Sequence, residues 1–273
     1  MPDRTSEPRT YRIAAIDRAL SVMEALAEQP DQGVTEIAAR LGMTKSIVFR
    51  ILQTLEARGF VDREPERALY SLGFRLAVLG ERAGGETGLL QAARPVLDAL
   101  RDETNENVNL VVRDGDRALV VTTREGRHSI RLFAQAGRHG PLHAGGGSML
   151  VLAFAPPEIR EAILSSRLPS FSPQTITDPE VLRERLDRIR ERGWNIALND
   201  LDEGAFSVAA PIRGADGDVI AAVSVAGAVA RFDEERRERY LAAVSKAAES
   251  ISDRLGLGVG AAGSHAARSD AAA

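Results

Sequence analysis

Lys45, Ser46, Phe49, Arg50 and Gln53 fall on one side of a helical projection of TKSIVFRILQTLEARG, and no acid interrupts that side before Glu56. These residue types suit recognition of duplex DNA rather than covalent chemistry. A lysine and a serine in a first helical turn sit beside backbone N–H groups that lack intrahelical acceptors, at the positive end of the dipole, where phosphate binds well. One turn on, Arg50 can reach a guanine edge or a phosphate, and Phe49 can touch a thymine methyl group. Thr44 is the expected cap of this helix. Thr35, read as the cap of the preceding helix, joins the candidate DNA-binding set, as do Arg63 and Arg67 further on, although Glu64 and Glu66 beside them weaken that part. A solvated face used only for protein contacts is the competing reading.

The elements that must hold these residues can be read from apolar spacing. Residues 14–29 form a helix with Ile16, Leu20, Met23 and Ala27 at steps of three and four. A short helix follows at 34–41 and stops at Gly42; two residues later a third runs from 44 to 58, with Val48, Ile51, Leu52 and Leu55 as its apolar stripe and Gly59 as its stop. Two short strands, 60–62 and 69–72, flank the turn REPER. Helix, tight turn, helix, then a β-ribbon is the plan of a winged helix-turn-helix, here over 12–73, and a linker helix is expected over 74–88 with its regular part at 74–81.

A second α/β pattern occupies 89–256. Helices are expected at 89–103, 149–154, 157–166, 178–192 and 234–255, and strands at 108–112, 118–123, 129–133, 194–198, 206–213 and 219–226. The last two strands are joined by GADG, and a four-residue loop makes opposite pairs sum to 431, setting Ser207 across from Ser224. One face of this ribbon is core: Phe206, Val208, Ala210 and Ile212 against Val219, Ala221, Val223 and Val225. The other, with Ala205, Ser207, Ala209 and Pro211 against Ile220, Ala222, Ser224 and Ala226, is small and nearly flat. Small side chains admit either a closely packed element or a ligand-filled hollow. Gly145-Gly146-Gly147-Ser148 enters a helix, so its N–H groups can receive a carboxylate, or it is simply a helix start capped by Ser148.

The bulk numbers exclude more than they assign. The 273 residues hold 35 basic and 39 acidic side chains, and residues 1–84 hold 12 of each, so any DNA-binding surface is local. Without cysteine there are no disulfides, thiolate metal sites or cysteine nucleophile. No apolar run is long enough to span a bilayer, the N-terminus carries no apolar signal core, and a cytoplasmic protein is expected. The ends, 1–11 and 257–273, are expected to be disordered. GGGS lacks the Gly-Lys-Ser/Thr of a phosphate loop; His139 and His143 have metal-like spacing only on a helix, yet Gly140-Pro141 lies between them. LNDLDEG reads as a solvated loop, and Asp114, Asp116, Asp216 and Asp218 as hairpin-turn residues. No nucleophile–base constellation stands out, so no enzyme, cofactor or metal is expected; the rivals are a hydrolase or transferase with a helical interaction module, or a sensor whose winged helix binds protein.

The segments AIDRALSVMEAL, VTEIAARLGMTKSIVFRILQTLEARGFV, YSLG, ARPVLDALRDETNENVNLVV, GPLHAGGGSMLVLAF, RIRERGW and SVAAPIRGADGDVIAAVSVAG occur in an order that resembles the IclR family of bacterial transcriptional regulators, over roughly residues 12–256. The resemblance implies an α+β architecture with a GAF-like effector-binding domain, a homodimer or dimer of dimers, double-stranded operator DNA as partner, and repression altered by a small organic effector. It matches Ser46 and Arg50 to recognition-helix positions, and Ser207 and Ser224 to effector positions, the former where many members have cysteine. Gly145, Gly146, Gly147, Ser148, Asp200 and Ala226 complete the expected effector set. The sequence also departs from the family. The usual Gly-Lys after the glycine loop is Ser148-Met149, an acidic pair is replaced by Ala197-Leu198 with Asn199-Asp200 next, and a second serine is Ala226. Lost polar groups argue for an effector less polar than a small keto acid, aromatic or longer-chained.

Overall fold

The computed structural model describes residues 13–83, 88–128 and 136–266, with side chains described at neither 81–83 nor 257–266. The expected strand at 129–133 and the N-terminal tail lie outside the described residues. The chain divides into two compact units, Met1–Glu86 and Thr87–Ala273.

In the first unit α1 (Ala14–Glu28), α2 (Val34–Leu41) and α3 (Lys45–Ala57) precede the antiparallel ribbon β1 (Val61–Glu64) and β2 (Leu69–Leu72), and α4 (Phe74–Ala83) follows. Val22 and Leu26, Ile37 and Ala38, and Val48, Leu52 and Leu55 meet Val61 and Tyr70 in one core. Buried Gln32 closes its side by exchanging backbone hydrogen bonds with Tyr70 (3.2 and 2.9 Å) and donating its amide to the Ala25 carbonyl (3.1 Å). Gly73 ends the ribbon because a Cβ there would stand 2.5 Å from the Gly59 carbonyl oxygen. Two expectations change. The α2 cap is Gly33, whose N–H donates to Glu36 Oε2 (2.8 Å), and Thr35 lies inside the helix. On α1 the buried side is Val22, Ala25 and Leu26, while Ile16 and Leu20 face outward.

The second unit contains α5 (Leu89–Thr104), β3 (Asn107–Asp114), β4 (Arg117–Arg124), β5 (His139–Gly140), α6 (Gly146–Ala153), α7 (Pro157–Leu164), α8 (Pro179–Arg192), β6 (Asn195–Leu198), β7 (Ala205–Arg213), β8 (Val219–Ala228) and α9 (Glu234–Ala266). Six strands form one antiparallel sheet in the order β5-β4-β3-β8-β7-β6. Helices α5 and α9 pack on one face against Leu110, Phe206, Val208, Val223 and Val225. Helix α6 covers the small face at Val111, Ala209 and Ala222, and α8 packs on the outer side of α6. Asp178 caps α8 by accepting from Glu180 N–H (2.8 Å) and Val181 N–H (3.2 Å), and Gly193 ends it at φ 75°. Helix α9 runs past Leu255, with helical backbone to Ala266.

The β7–β8 register differs from the expected one. Pairs sum to 433, so Ser207 faces Ala226 and Ser224 faces Ala209. The shift arises because Gly214 N–H donates to the Asp218 carbonyl (2.9 Å), tightening the loop, while an extra residue, Ile220, bulges between the pairs Arg213–Val219 and Ile212–Ala221. A displacement of two residues keeps every side chain beyond the bulge on its face. Val219 is the exception among the expected core residues and packs toward the α6 side.

Candidate nucleic-acid interface and effector cavity

Helix α3 turns Val48, Leu52 and Leu55 inward, and this leaves Lys45, Ser46, Phe49, Arg50 and Gln53 exposed. Gly42, at φ 62°, ends α2 and lets Thr44 begin α3 two residues later, with Thr44 Oγ1 accepting from Ile47 N–H at 3.4 Å. The N–H groups of Lys45 and Ser46 have no acceptor among the described residues. Neither Lys45 nor Arg50 forms an ion pair there. Thr35 is exposed on α2. On the wing Arg63 lies over the Tyr70 ring (5.9 Å to the centroid) and Arg67 sits 4.0 Å from Glu64, so the acid expected to weaken this part does engage it.

In the second unit Gly145, Gly146, Gly147, Ser148, Asp200, Ser207, Ser224 and Ala226 all line one cavity of about 520 Å³. Helix α6 begins at Gly146, three residues earlier than its apolar run suggests; Gly145, at φ 90°, is its N-cap, and Ser148 is inside the helix rather than its cap. A Cβ on Gly146 would lie 2.5 Å from Ser207 Oγ and 2.9 Å from the Ser207 carbonyl, and one on Gly147 would lie 3.1 Å from Val111 Cγ2. The small face thus serves both alternatives: it seats α6 closely and leaves a hollow at the helix start. The N–H groups of Gly146, Gly147 and Ser148 have no acceptor among the described residues. Ser224 is 2 % exposed, yet its hydroxyl, like that of Ser207, makes no hydrogen bond there and opens into the cavity.

The helix start is held from behind. Gly145 N–H donates to Asp200 Oδ2 (2.9 Å), Asn195 Nδ2 to the Gly146 carbonyl (3.1 Å), and Arg185 Nη2 to Asn195 Oδ1 (2.8 Å). Burial pushes the Asp200 carboxyl above its ordinary range, against the pull of the Gly145, Asp200 and Leu201 N–H groups and the Arg185 charge. Burial, with Arg188 and Arg192 nearby, lowers Arg185 in turn. The Asn199–Asp200 turn also carries the loop before α8: Thr175 Oγ1 donates to the Asp200 carbonyl (2.5 Å) and Ser172 Oγ to the Asn199 carbonyl. LNDLDEG is therefore partly buried scaffolding, not only a solvated loop.

Sequence reasoning missed Asn109, Phe171, Arg117 and Arg138, which also line the cavity. Asn109, paired with Ser224 across β3 and β8, was detectable as a polar residue inside the apolar run NVNLVV; its Oδ1 accepts from Thr123 Oγ1 (3.0 Å). Phe171, in an irregular loop, gave no periodic signal. His139 and His143 part company: His139 Nε2 lies 2.7 Å from Asp114 Oδ2, and buried His143 Nε2 lies 2.9 Å from the Pro169 carbonyl. Among the described residues no helix is long and apolar enough to cross a membrane.

A winged helix with an open cationic helix face, in one chain with an α/β unit built around a polar-ended cavity, defines the class of ligand-responsive DNA-binding transcriptional regulators. Residues 15–65 match the IclR helix-turn-helix domain and residues 82–253 the IclR C-terminal domain of bacterial transcriptional regulators. The transcriptional regulator KipR of Bacillus subtilis is 33 % identical over 240 residues, covering 88 % of this chain and 96 % of that one. The regulator BhcR of Paracoccus denitrificans is 34 % identical, covering 88 % of this chain and 86 % of its own. The crystal structure of an IclR homolog from Microbacterium hydrocarbonoxydans complexed with 4-hydroxybenzoate has a TM-score of 0.76 at 27 % identity, covering 88 % of this chain and 98 % of that one. The chain belongs to the IclR family.

Proposed function

We propose that this regulator is a repressor whose operator binding is altered by an organic acid held at the start of α6, with an aromatic or longer-chain body. The observation that carries the reading is the convergence of three N–H groups without acceptors, at Gly146, Gly147 and Ser148, with the Ser207 and Ser224 hydroxyls in one cavity. A carboxylate there meets the positive end of the helix dipole, and glycine lets it approach the backbone. The volume of about 520 Å³ would leave a two- or three-carbon keto acid loosely held. That a similar protein has been solved with 4-hydroxybenzoate agrees with this class of ligand.

Operator DNA is assigned to Thr44, Lys45, Ser46, Phe49, Arg50 and Gln53 of the recognition helix, with Thr35 before it and Arg63 and Arg67 on the wing. Repression follows from the family resemblance. A homodimer is supported by α1 and its N-cap, which leave Ile13 (65 %), Ile16 (55 %) and Leu20 (49 %) exposed as an apolar stripe. The test is fluorescence anisotropy on the DNA upstream of the gene, titrated with aromatic and aliphatic acids. Binding that weakens steeply with salt and changes with an aromatic acid is expected; a flat salt response, or a response to glyoxylate or pyruvate alone, overturns the reading.

A further inference from the structure

Asn109 interrupts the apolar run of β3 on the face that α6 covers. Val111, two residues further on, packs against Gly147 of α6, and strand alternation turns both side chains the same way. The β8 partner of Asn109 is Ser224, and the next pair along that face is Val111 with Ala222. Asn109 and Ser224 both line the cavity, at 6 % and 2 % exposure.

The amide is held from one side only. Thr123 Oγ1, opposite on β4, donates to Asn109 Oδ1 (3.0 Å). That leaves Asn109 Nδ2 without an acceptor among the described residues. The donor is not sealed in, because no fully buried side-chain nitrogen or oxygen lacks a partner there; it opens to the cavity, as Ser224 Oγ does. A ligand atom that pairs with such a donor recovers part of the cost of burying it. Neither residue carries charge, so the two suit a neutral group rather than a second carboxylate. A hydroxyl satisfies both, accepting from Asn109 Nδ2 and donating to Ser224 Oγ.

The sheet sets the distance between this pair and the helix start. Helix α6 begins against Ser207 of β7, and β3 lies two strands from β7, across β8. At about 4.8 Å per strand, Asn109 stands about 10 Å across the sheet from the strand of Ser207. An α-hydroxy acid, with its two groups on adjacent carbons, is too short for that span. A ring with the groups in meta or para relation, or a chain of several carbons, fits it.

We infer that the effector carries a neutral hydroxyl, several atoms from its acid group, held between Asn109 Nδ2 and Ser224 Oγ. Asn109 is then a specificity-determining residue, and Thr123 positions it. This deepens the organic-acid reading of the cavity and rests on it.

The test is calorimetry on the full chain with shape-matched probes, 3-hydroxybenzoate against 3-methylbenzoate and 4-hydroxybenzoate against 4-methylbenzoate. The hydroxyl member of at least one pair should bind about fivefold tighter or better, the scale of one net hydrogen bond. Asn109→Leu keeps the bulk of the side chain and removes its donor, so the ratio should fall to within about twofold. The ratio is the readout because a change in cavity shape moves both members of a pair. Ser224→Ala, which deletes one oxygen, should lower the ratio as well and replaces Asn109→Leu if that variant does not fold. No hydroxyl preference in either pair overturns the inference, as does a preference that survives Asn109→Leu, or Ser224→Ala in its place. Ser207→Val separates the two levels. Probes that bind through Ser207 with no advantage for the hydroxyl sink only this inference. Binding indifferent to Ser207→Val, or no binding of any probe, sinks the organic-acid reading and the inference with it.

Discussion

Arg50 and Asp200 mark two opposite ways in which a charged side chain acts here. Arg50 is exposed and forms no ion pair among the described residues, so removing it costs the fold almost nothing. The Arg50→Ala variant should unfold within about 0.5 kcal/mol of the parent and bind operator DNA about 5- to 150-fold more weakly, the range of a lost base contact of about 1–3 kcal/mol. Unchanged anisotropy titrations would remove Arg50 from the interface. Asp200 is buried and pays no such indifference: burial raises its carboxyl above the ordinary value. The folded state therefore binds this proton more tightly than the unfolded chain. Its contribution to stability is greatest below the ordinary carboxylate value and is lost as pH rises through the interval up to the raised one. Asp200→Asn keeps an acceptor for the Gly145 N–H and cannot ionise. Urea midpoints measured across that interval should fall with pH for the parent relative to the variant; parallel profiles would show that Asp200 titrates as it does in the unfolded chain.

At the scale of elements, the close seat of α6 on β7 is the arrangement on which the cavity depends. A methyl group at Gly146 would stand 2.9 Å from a backbone oxygen that cannot swing aside, so Gly146→Ala must push the helix off the sheet. A cost of about 1–3 kcal/mol is expected, with a blunted effector response and operator binding retained in the absence of effector. Gly140→Ala, where a Cβ meets nothing within 4 Å, is the control and should melt with the parent. A Gly146→Ala variant as stable and as responsive as its control would mean that the seat tolerates a retreat. The same elements explain what could be read in advance. Helix α3 was legible from end to end because Thr44, its apolar stripe and Gly59 are all local signals. The two faces of the β7–β8 ribbon were legible because alternation survives a shift of two. The register was not, since it depends on a bulge at Ile220 that no residue type announces. The stripe at Ile16 and Leu20 marked a helix but not its buried side, because packing partners rather than periodicity decide which side turns inward. Arg117, Arg138 and Phe171 reach the cavity from a strand start, a strand edge and a loop, so only tertiary structure assembles them.

For the molecule as a whole, a net charge of −4, with basic and acidic residues balanced over 1–84, means that no long-range field draws it to DNA. Operator affinity must come from local contacts, and an effector can change it only through a difference in its own affinity for the states that bind DNA and those that do not. That difference is reciprocal: if a saturating acid weakens operator binding by some factor, saturating operator must weaken binding of the acid by the same factor. Couplings of this kind run to about 5–150-fold, well within reach of anisotropy for the DNA and calorimetry for the acid. Both must be measured at one salt concentration, since the phosphate contribution varies with salt. Ser207→Val should weaken acid binding while leaving operator affinity unchanged in the absence of acid, and saturating acid should still shift operator binding by an unaltered factor. If instead the variant binds the acid normally but the coupling disappears, Ser207 belongs to the transmission of the signal, and the contacts that hold the ligand must lie elsewhere on the cavity wall.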